Sequence, residues 1–274
     1  MLDWRGWNPH KQRIVSAVLI VVPLFAIIAA GPYWSWLALV CLAAAVGLWE
    51  FQGLLLPEKL KTQELAAYLA AGLILPCGAA FGGGAGLHGA LAAVVLASFA
   101  SLLVLSPSGS QVFDRLGRLV LGWLYIPYLL SYVLLIGRSG DARAWIFFIL
   151  IVTAAGDTGA FYIGRRFGRR KLFERVSPKK TVEGSIGGLF SSVILGTLFG
   201  LAFIDGVPVG DWIALCVALA ATGQVGDLIE SAVKRMCGRK DSSNLLPGHG
   251  GVLDRLDSLL FVFPGTWLFL MWMR

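Results

Sequence analysis

The sequence predicts an all-α, polytopic integral membrane helical bundle of about nine transmembrane helices, with its N-terminus on the cytoplasmic side. Three observations carry that prediction. Hydrophobic residues make up 57% of the 274 and charged residues only 14%. Several apolar runs approach the roughly 20 residues needed to cross a hydrocarbon core of about 30 Å. None of these runs shows the period-two alternation of a barrel strand, so helices are left as the way to pair backbone groups in lipid.

The first apolar segment, near 14 to 30, follows Arg5, Lys11 and Arg13 and ends on Ala29-Ala30-Gly31. A secretory signal has that shape, but the further spans that follow make an uncleaved first helix the simpler reading. Those spans lie near 33 to 49, 65 to 81, 88 to 105, 117 to 136, 144 to 164, 185 to 204, 210 to 226 and 258 to 273. Pro23 and Pro127 fall inside spans and predict kinks, while Pro57, Pro107 and Pro178 mark loops. Gly84-Ala85-Gly86-Leu87-His88-Gly89 formally matches a dinucleotide fingerprint, but no strand precedes it and it reads as a flexible loop. Gly184, Gly188, Ser192, Gly196 and Gly200 form a small-residue stripe along the seventh span, suited to close packing inside the monomer or in a homodimer. Cys41, Cys77, Cys216 and Cys237 have no metal or redox spacing, and three of them lie within or beside apolar runs, as small packing residues do. Trp34, Trp36, Trp49, Trp123 and Trp145 stand near span ends, as in an interfacial belt. The whole chain, 1–274, reads as one integral membrane domain, with 1–140 a helical scaffold and 141–274 the catalytic half.

Orientation follows from the basic residues, which are retained on the cytoplasmic side. With the N-terminus inside, 20 of the 23 fall on that side, and only Arg138, Arg143 and Arg274 oppose them. The formal charge of +7 then belongs mainly to a cytoplasmic surface suited to anionic headgroups or phosphates, and no nucleic-acid partner is expected. Two loops, Arg165 to Glu183 and Asp227 to Asp257, hold 13 of the basic residues. Both mix them with acids, glycines and hydroxyls, which a topology signal alone does not need.

The carboxylates sharpen this. Asp157 lies inside the sixth span, about 10 Å from its cytoplasmic end at 1.5 Å per residue. A carboxylate there costs about 2.5–3.5 kcal/mol, so it should face the bundle interior and have a partner. If the eighth helix continues past its apolar run, Asp227, then Glu230 or Ser231, then Lys234 recur on one face. Gly248-His249-Gly250-Gly251 reads as a turn, after which Asp254 and Asp257 sit three apart as the ninth helix begins. Mg²⁺ takes oxygen ligands, commonly one or two carboxylates with substrate phosphates. Asp227 and Asp254 can supply the carboxylates, and Lys179, Lys180, Lys234, Arg235, Lys240 and Arg255 can neutralise phosphate. His249 has no second histidine or cysteine at metal spacing.

The run Ser231-x2-Lys234-Arg235-x4-Lys240-Asp241-x-Ser243-x2-Leu246-Pro247-x-His249-Gly250-Gly251-x2-Asp254-Arg255-Leu256-Asp257 resembles the signature of the phosphatidate cytidylyltransferases, or CDP-diacylglycerol synthases. Three other elements share the resemblance: Gly156-Asp157-Thr158-Gly159-Ala160-Phe161 with Gly164-Arg165, Ser177 to Gly184, and Gln224-x-Gly226-Asp227-Leu228-x-Glu230-Ser231. The resemblance implies transfer of CMP from CTP to phosphatidate at the cytoplasmic face of a bacterial inner membrane, giving CDP-diacylglycerol and pyrophosphate. It implies Mg²⁺ at Asp227 and Asp254, with K⁺ as second cation and Asp157, Glu230 and Asp257 in support. Catalytic roles are expected for Asp227, Asp254, Lys234, Arg235, Lys240, Asp241, His249 and Arg255. Substrate contacts are expected for Lys179, Lys180, Thr181, Glu183, Ser231, Gly250 and Gly251. A secondary transporter would place its polar residues near the midplane, whereas here they gather at one face. A CTP-dependent lipid kinase would share the phosphate chemistry but release CDP, and the Asp-Gly-x2-Ala-Arg pattern of CDP-alcohol phosphotransferases is absent.

Overall fold

The computed structural model describes residues 9–56, 60–104, 110–246 and 248–273. Arg5, Pro57, Pro107, Pro247 and Arg274 lie outside the described residues, as do the side chains of Lys11 and Arg13. The chain is nearly all α-helical. Its elements are α1 (Pro9–Ala30), α2 (Tyr33–Leu55), α3 (Thr62–Val104), α4 (Ser110–Trp123), a π-helical turn (Leu124–Tyr128), α5 (Tyr132–Ile136) and α6 (Ala142–Phe167). Strands β1 (Lys171–Phe173) and β2 (Ser177–Thr181) then form an antiparallel hairpin, followed by α7 (Val182–Phe203), α8 (Val209–Met236) and α9 (Leu253–Trp272).

Among the described residues, six helical stretches are long and apolar enough to cross a membrane: Tyr33–Leu55, Thr62–Ser101, Val112–Ile136, Ala142–Phe167, Val182–Phe203 and Val209–Met236. The chain is an integral membrane protein. Three local features separate this count from the nine apolar segments. Thr62–Ser101 joins two of those segments, and its helical conformation breaks at Gly83, with φ 63° and ψ −147°. That backbone region is open essentially to glycine alone. Across the break, Gly78 and Gly86 face each other so closely that a Cβ on Gly86 would lie 2.2 Å from the Gly78 carbonyl oxygen. Residues 84–89 are therefore helical, and the flexible loop expected there is absent. The apolar part of α1 is the short stretch Val18–Ala30, and α9 opens with Asp254, Arg255 and Asp257, which dilute its hydropathy.

The chain divides into two compact units. One takes the residues up to Ser131 together with Arg239–Arg255; the other takes Tyr132–Gly238 and Leu256 onward. In the first unit α2 packs against α3, α4 and the π-helical turn, burying Trp36, Val40, Ala44, Leu48, Phe51, Leu75 and Ile126. The kink expected at Pro127 is that π-helical turn, as a residue without an N–H donor interrupts the regular ladder.

In the second unit α6 and α7 make the closest pairing, and α8 packs against both. The stripe on α7 is what permits it. Ser192 Oγ donates to the Val152 carbonyl at 2.7 Å, a Cβ on Gly188 would meet the Gly156 carbonyl at 2.6 Å, and Gly200 lies against the Trp212 ring. The stripe is thus buried within this unit. Trp145 packs against the rings of Phe148, Trp212 and Phe269 at centroid distances of 5.6, 5.3 and 6.0 Å. That corrects its reading as an interfacial residue; Trp36 and Trp123 are buried as well, while Trp34 and Trp49 are exposed.

Candidate active site

The second unit contains a cavity of about 490 Å³ where α6, β2, α7 and α8 converge, within the size range of small-ligand sites. Gly156, Asp157, Ala160, Phe161, Gly164 and Arg165 reach it from α6, and Lys179, Lys180 and Thr181 from β2. Gly184 and Ser185 line it from the first turn of α7, Gln224 and Asp227 from α8, and Leu172 from β1. Its walls combine cations and acids with apolar surface.

Local folding sets these groups. Thr181 caps α7, its Oγ1 accepting from Gly184 N at 3.1 Å, so the chain turns directly from β2 into the helix. Glu183 accepts from the backbone N–H groups of Arg169 at 3.0 Å and Arg170 at 3.2 Å. It therefore ties the start of the hairpin to α7. Lys171 Nζ donates to the Pro178 carbonyl at 2.7 Å, and Arg235 Nε to the Val176 carbonyl at 3.2 Å. Both fasten the hairpin that carries Lys179 and Lys180.

Lys180 forms an ion pair with Asp227. Ser231 Oγ stands 3.4 Å from the other oxygen of Asp227, one helical turn further along α8. Helix α8 does run on to Met236, and Lys234 pairs with Glu230 at 2.6 Å, their side chains 11% and 1% exposed. Glu230 is thus committed to a buried ion pair. Asp257 lies within electrostatic range of Asp227 and Asp157, whose charges add to its own, and of Lys234, which opposes them. Asp157 also borders a cavity of about 20 Å³ with Thr153, Ser192, Gln224 and Ser258. Ser185 Oγ donates to Gln224 Oε1, and Gln224 Nε2 returns a bond to the Ser185 carbonyl at 3.0 Å. Ser185 carries no signal in the sequence beyond its place beside the stripe.

The signature residues from Lys240 to Arg255 belong to the first unit. Lys240, Asp241 and Arg255 are exposed there, and His249 and Gly250 are partly buried in the turn closed by His249 N to the Leu246 carbonyl at 2.9 Å. Asp254 accepts from Gly251 N at 2.7 Å, Ser242 Oγ at 2.9 Å and Ser242 N at 3.0 Å. A residue outside the expected set joins them: Glu50, on α2, bonds to the same loop. Its signal was a carboxylate at the end of an apolar run.

Among the described residues no three carboxylates, histidines or cysteines converge to hold a metal unaided. Beside the Lys180 ammonium, Asp227 and Ser231 offer hard oxygen donors, and one or two carboxylates completed by phosphate and water is how Mg²⁺ is commonly bound. Cations beside such carboxylates suit a polyanionic substrate whose charge must be divided among several partners.

The fold and site therefore define an integral membrane protein with a cavity where lysines, an arginine and carboxylates stand next to apolar surface. The chain belongs to the cytidylyltransferase family, which it matches over residues 11–273, and is accordingly a nucleotidyltransferase. It is 35% identical over 263 residues to the phosphatidate cytidylyltransferase of Bacillus subtilis (strain 168), covering 93% of this chain and 95% of that protein. It is 37% identical over 279 aligned positions to the phosphatidate cytidylyltransferase of Haemophilus influenzae, covering 93% and 96%. A shorter alignment of 137 residues reaches 42% identity with the phosphatidate cytidylyltransferase of Staphylococcus saprophyticus, covering 49% of this chain and 52% of that protein.

Proposed function

We propose that this enzyme transfers the cytidylyl group of CTP to phosphatidate, producing CDP-diacylglycerol for phospholipid synthesis. A phosphate oxygen of phosphatidate attacks the α-phosphorus of CTP; the new P–O bond forms as the α–β anhydride breaks, and pyrophosphate leaves. The lipid phosphate is already anionic near neutral pH, so alignment and charge neutralisation carry the catalysis. The observation that carries the reading is the cavity of the second unit, where Lys179, Lys180 and Arg165 stand with Asp227 beside Phe161 and Leu172. Cations for phosphate and apolar walls for a lipid meet in one place.

Asp227, from its place in that cavity, and Asp254, from its place in the sequence signature, are the carboxylates proposed to hold Mg²⁺. Asp157, Glu230 and Asp257 are proposed in support, and K⁺ as a second cation. When bound, the metal neutralises phosphate charge and polarises the phosphorus centre. Lys179, Lys180, Lys234, Arg235, Lys240 and Arg255 divide the remaining charge between lipid phosphate and pyrophosphate; Asp241, His249, Thr181, Glu183, Ser231, Gly250 and Gly251 shape the sites. We further propose nine membrane passes in one membrane domain, with the N-terminus and the active site at the cytoplasmic face of a bacterial inner membrane, and a homodimer as the assembled form. The reversal at Gly83 and the one-sided distribution of basic residues support that topology.

The test supplies purified enzyme in detergent with phosphatidate, labelled CTP and Mg²⁺, and resolves the lipid and phosphate products. CDP-lipid and pyrophosphate should appear in equal amounts and vanish on chelation. Asp227→Asn should lower turnover by at least about a hundredfold, the range for removing an electrostatic group. CDP in place of pyrophosphate would assign a lipid kinase.

A further inference from the structure

Glu50 ends the apolar run of α2, yet it is only 2% exposed. A buried carboxylate needs a full set of donors, and four reach it from the signature loop of its own unit. Ser243 Oγ donates at 2.6 Å, Ser242 Oγ lies at 3.2 Å, and the backbone N–H groups of Val252 and Leu253 donate at 2.9 and 2.8 Å. Those two N–H groups open α9, where a helix has no internal acceptors. Glu50 is therefore the cap of α9, delivered from a helix some 200 positions earlier in the chain, and its charge complements the positive end of the helix dipole.

The same carboxylate fixes its neighbours. Ser242 Oγ has one proton and stands between Glu50 at 3.2 Å and Asp254 at 2.9 Å, so the orientations of the two acids are linked through it. Gly251 follows from this crowding. A Cβ there would fall 2.0 Å from Ser242 Oγ and 2.6 and 2.7 Å from the two oxygens of Glu50. Gly250, with φ 79°, supplies the left-handed turn before it. The paired glycines of the signature thus serve distinct ends, and the second stands where Ser242 and Glu50 together leave no room for a side chain.

We propose that Glu50 is a positioning residue for cytidylyl transfer, acting through the loop 242–253 to fix the carboxylate of Asp254. The proposal rests on the functional role assigned to Asp254 above. Its contacts all go to the loop, so Glu50 orders the site without touching substrate. The nearest precedent in physical terms is the outer partner that orients a metal-ligating carboxylate, whose loss costs about 10–100-fold in metal affinity or activity.

The experiment compares wild type, Glu50→Gln, Glu50→Asp and Asp254→Asn in the same detergent. It measures melting temperature, hydrogen exchange at amides 251–253 without metal, kcat, KM for CTP and the Mg²⁺ concentration giving half-maximal rate. In Glu50→Gln the amides should exchange faster, and the half-maximal Mg²⁺ concentration should rise by about tenfold or more. KM for CTP should move less than either kcat or the Mg²⁺ requirement, and Glu50→Asp should recover part of the loss. Faster exchange and a lower melting temperature with wild-type kcat and Mg²⁺ dependence would reduce Glu50 to a structural cap and overturn the proposal. An inactive Asp254→Asn beside that result would remove the role of Glu50 alone, whereas an active Asp254→Asn would remove the assignment of Asp254 beneath it. If Glu50→Gln does not fold, Ser243→Ala, which deletes the 2.6 Å donor, is read by the same criteria.

Discussion

Replacing Gly188 by alanine tests whether the α6–α7 contact sets the geometry of the cavity. The new Cβ would lie 2.6 Å from the Gly156 carbonyl oxygen and 3.1 Å from Ala160 Cβ. Ordinary contact begins at 3.4 Å, so the first approach must open from 2.6 to 3.4 Å, roughly 0.8 Å, and the obstacle is backbone that cannot rotate away. Gly156 and Ala160 both line the cavity, with Asp157 between them in sequence. Overpacking of this kind costs about 1–3 kcal/mol, and a misplacement near 1 Å at reacting groups costs on the order of 100-fold in rate. The expected result is a kcat/KM lowered by about 10–100-fold, in protein that still folds but melts several degrees lower. Gly196→Ala is the comparison. Its Cβ would meet Cys216 Sγ and Val152 Cγ2, both at 2.6 Å, which are side-chain atoms able to yield, and neither residue lines the larger cavity. Its kcat/KM should stay within about twofold of wild type, the rate equivalent of roughly 0.5 kcal/mol. A wild-type rate for Gly188→Ala, or an equal loss of rate in Gly196→Ala, would refute the link between this helix contact and the cavity.

Two further outcomes follow from the ion pairs of α8. Lys180→Met should lower kcat/KM by about 100–1,000-fold, the range for removing one charge-stabilising group, and Lys180→Arg should restore part of it; an unchanged rate in the methionine variant would exclude Lys180 from phosphate binding. Glu230→Gln breaks the buried ion pair with Lys234, a change that costs about 3–5 kcal/mol where one member of a buried pair is removed. Thermal unfolding should record a drop on the order of 10 °C for a chain of this size, partly recovered when Lys234→Met is added, and an unchanged melting temperature would show the pair to be energetically idle.

Hydropathy located the helices well because lipid solubility is a property of each segment alone. It also parted the spans near 65 to 81 and 88 to 105 on either side of Gly83, but it read the interval as a loop, whereas only the backbone at that one glycine departs from the helix. Trp145 shows a second limit. Its position along the sequence is that of an interfacial residue, but whether a side chain near a span end meets headgroups or protein depends on its direction around the helix. Here Trp212, 67 positions later, supplies the opposing ring.

The same distinction runs through the site. The face carrying Asp227, Ser231 and Lys234 was readable because helical periodicity places residues three and four apart together. The pairing of Lys180 with Asp227 was not, because it depends on a hairpin held by Glu183 and Arg235 through backbone contacts that any residue sequence could offer. Glu50 lay furthest from sight. In one dimension it is a polar residue where an apolar run ends, which topology explains without any function. Only the convergence of two serine hydroxyls and the first amides of α9 on its carboxylate removes that explanation, for an acid needed only to mark the end of a span has no reason to be buried or to force a glycine opposite it.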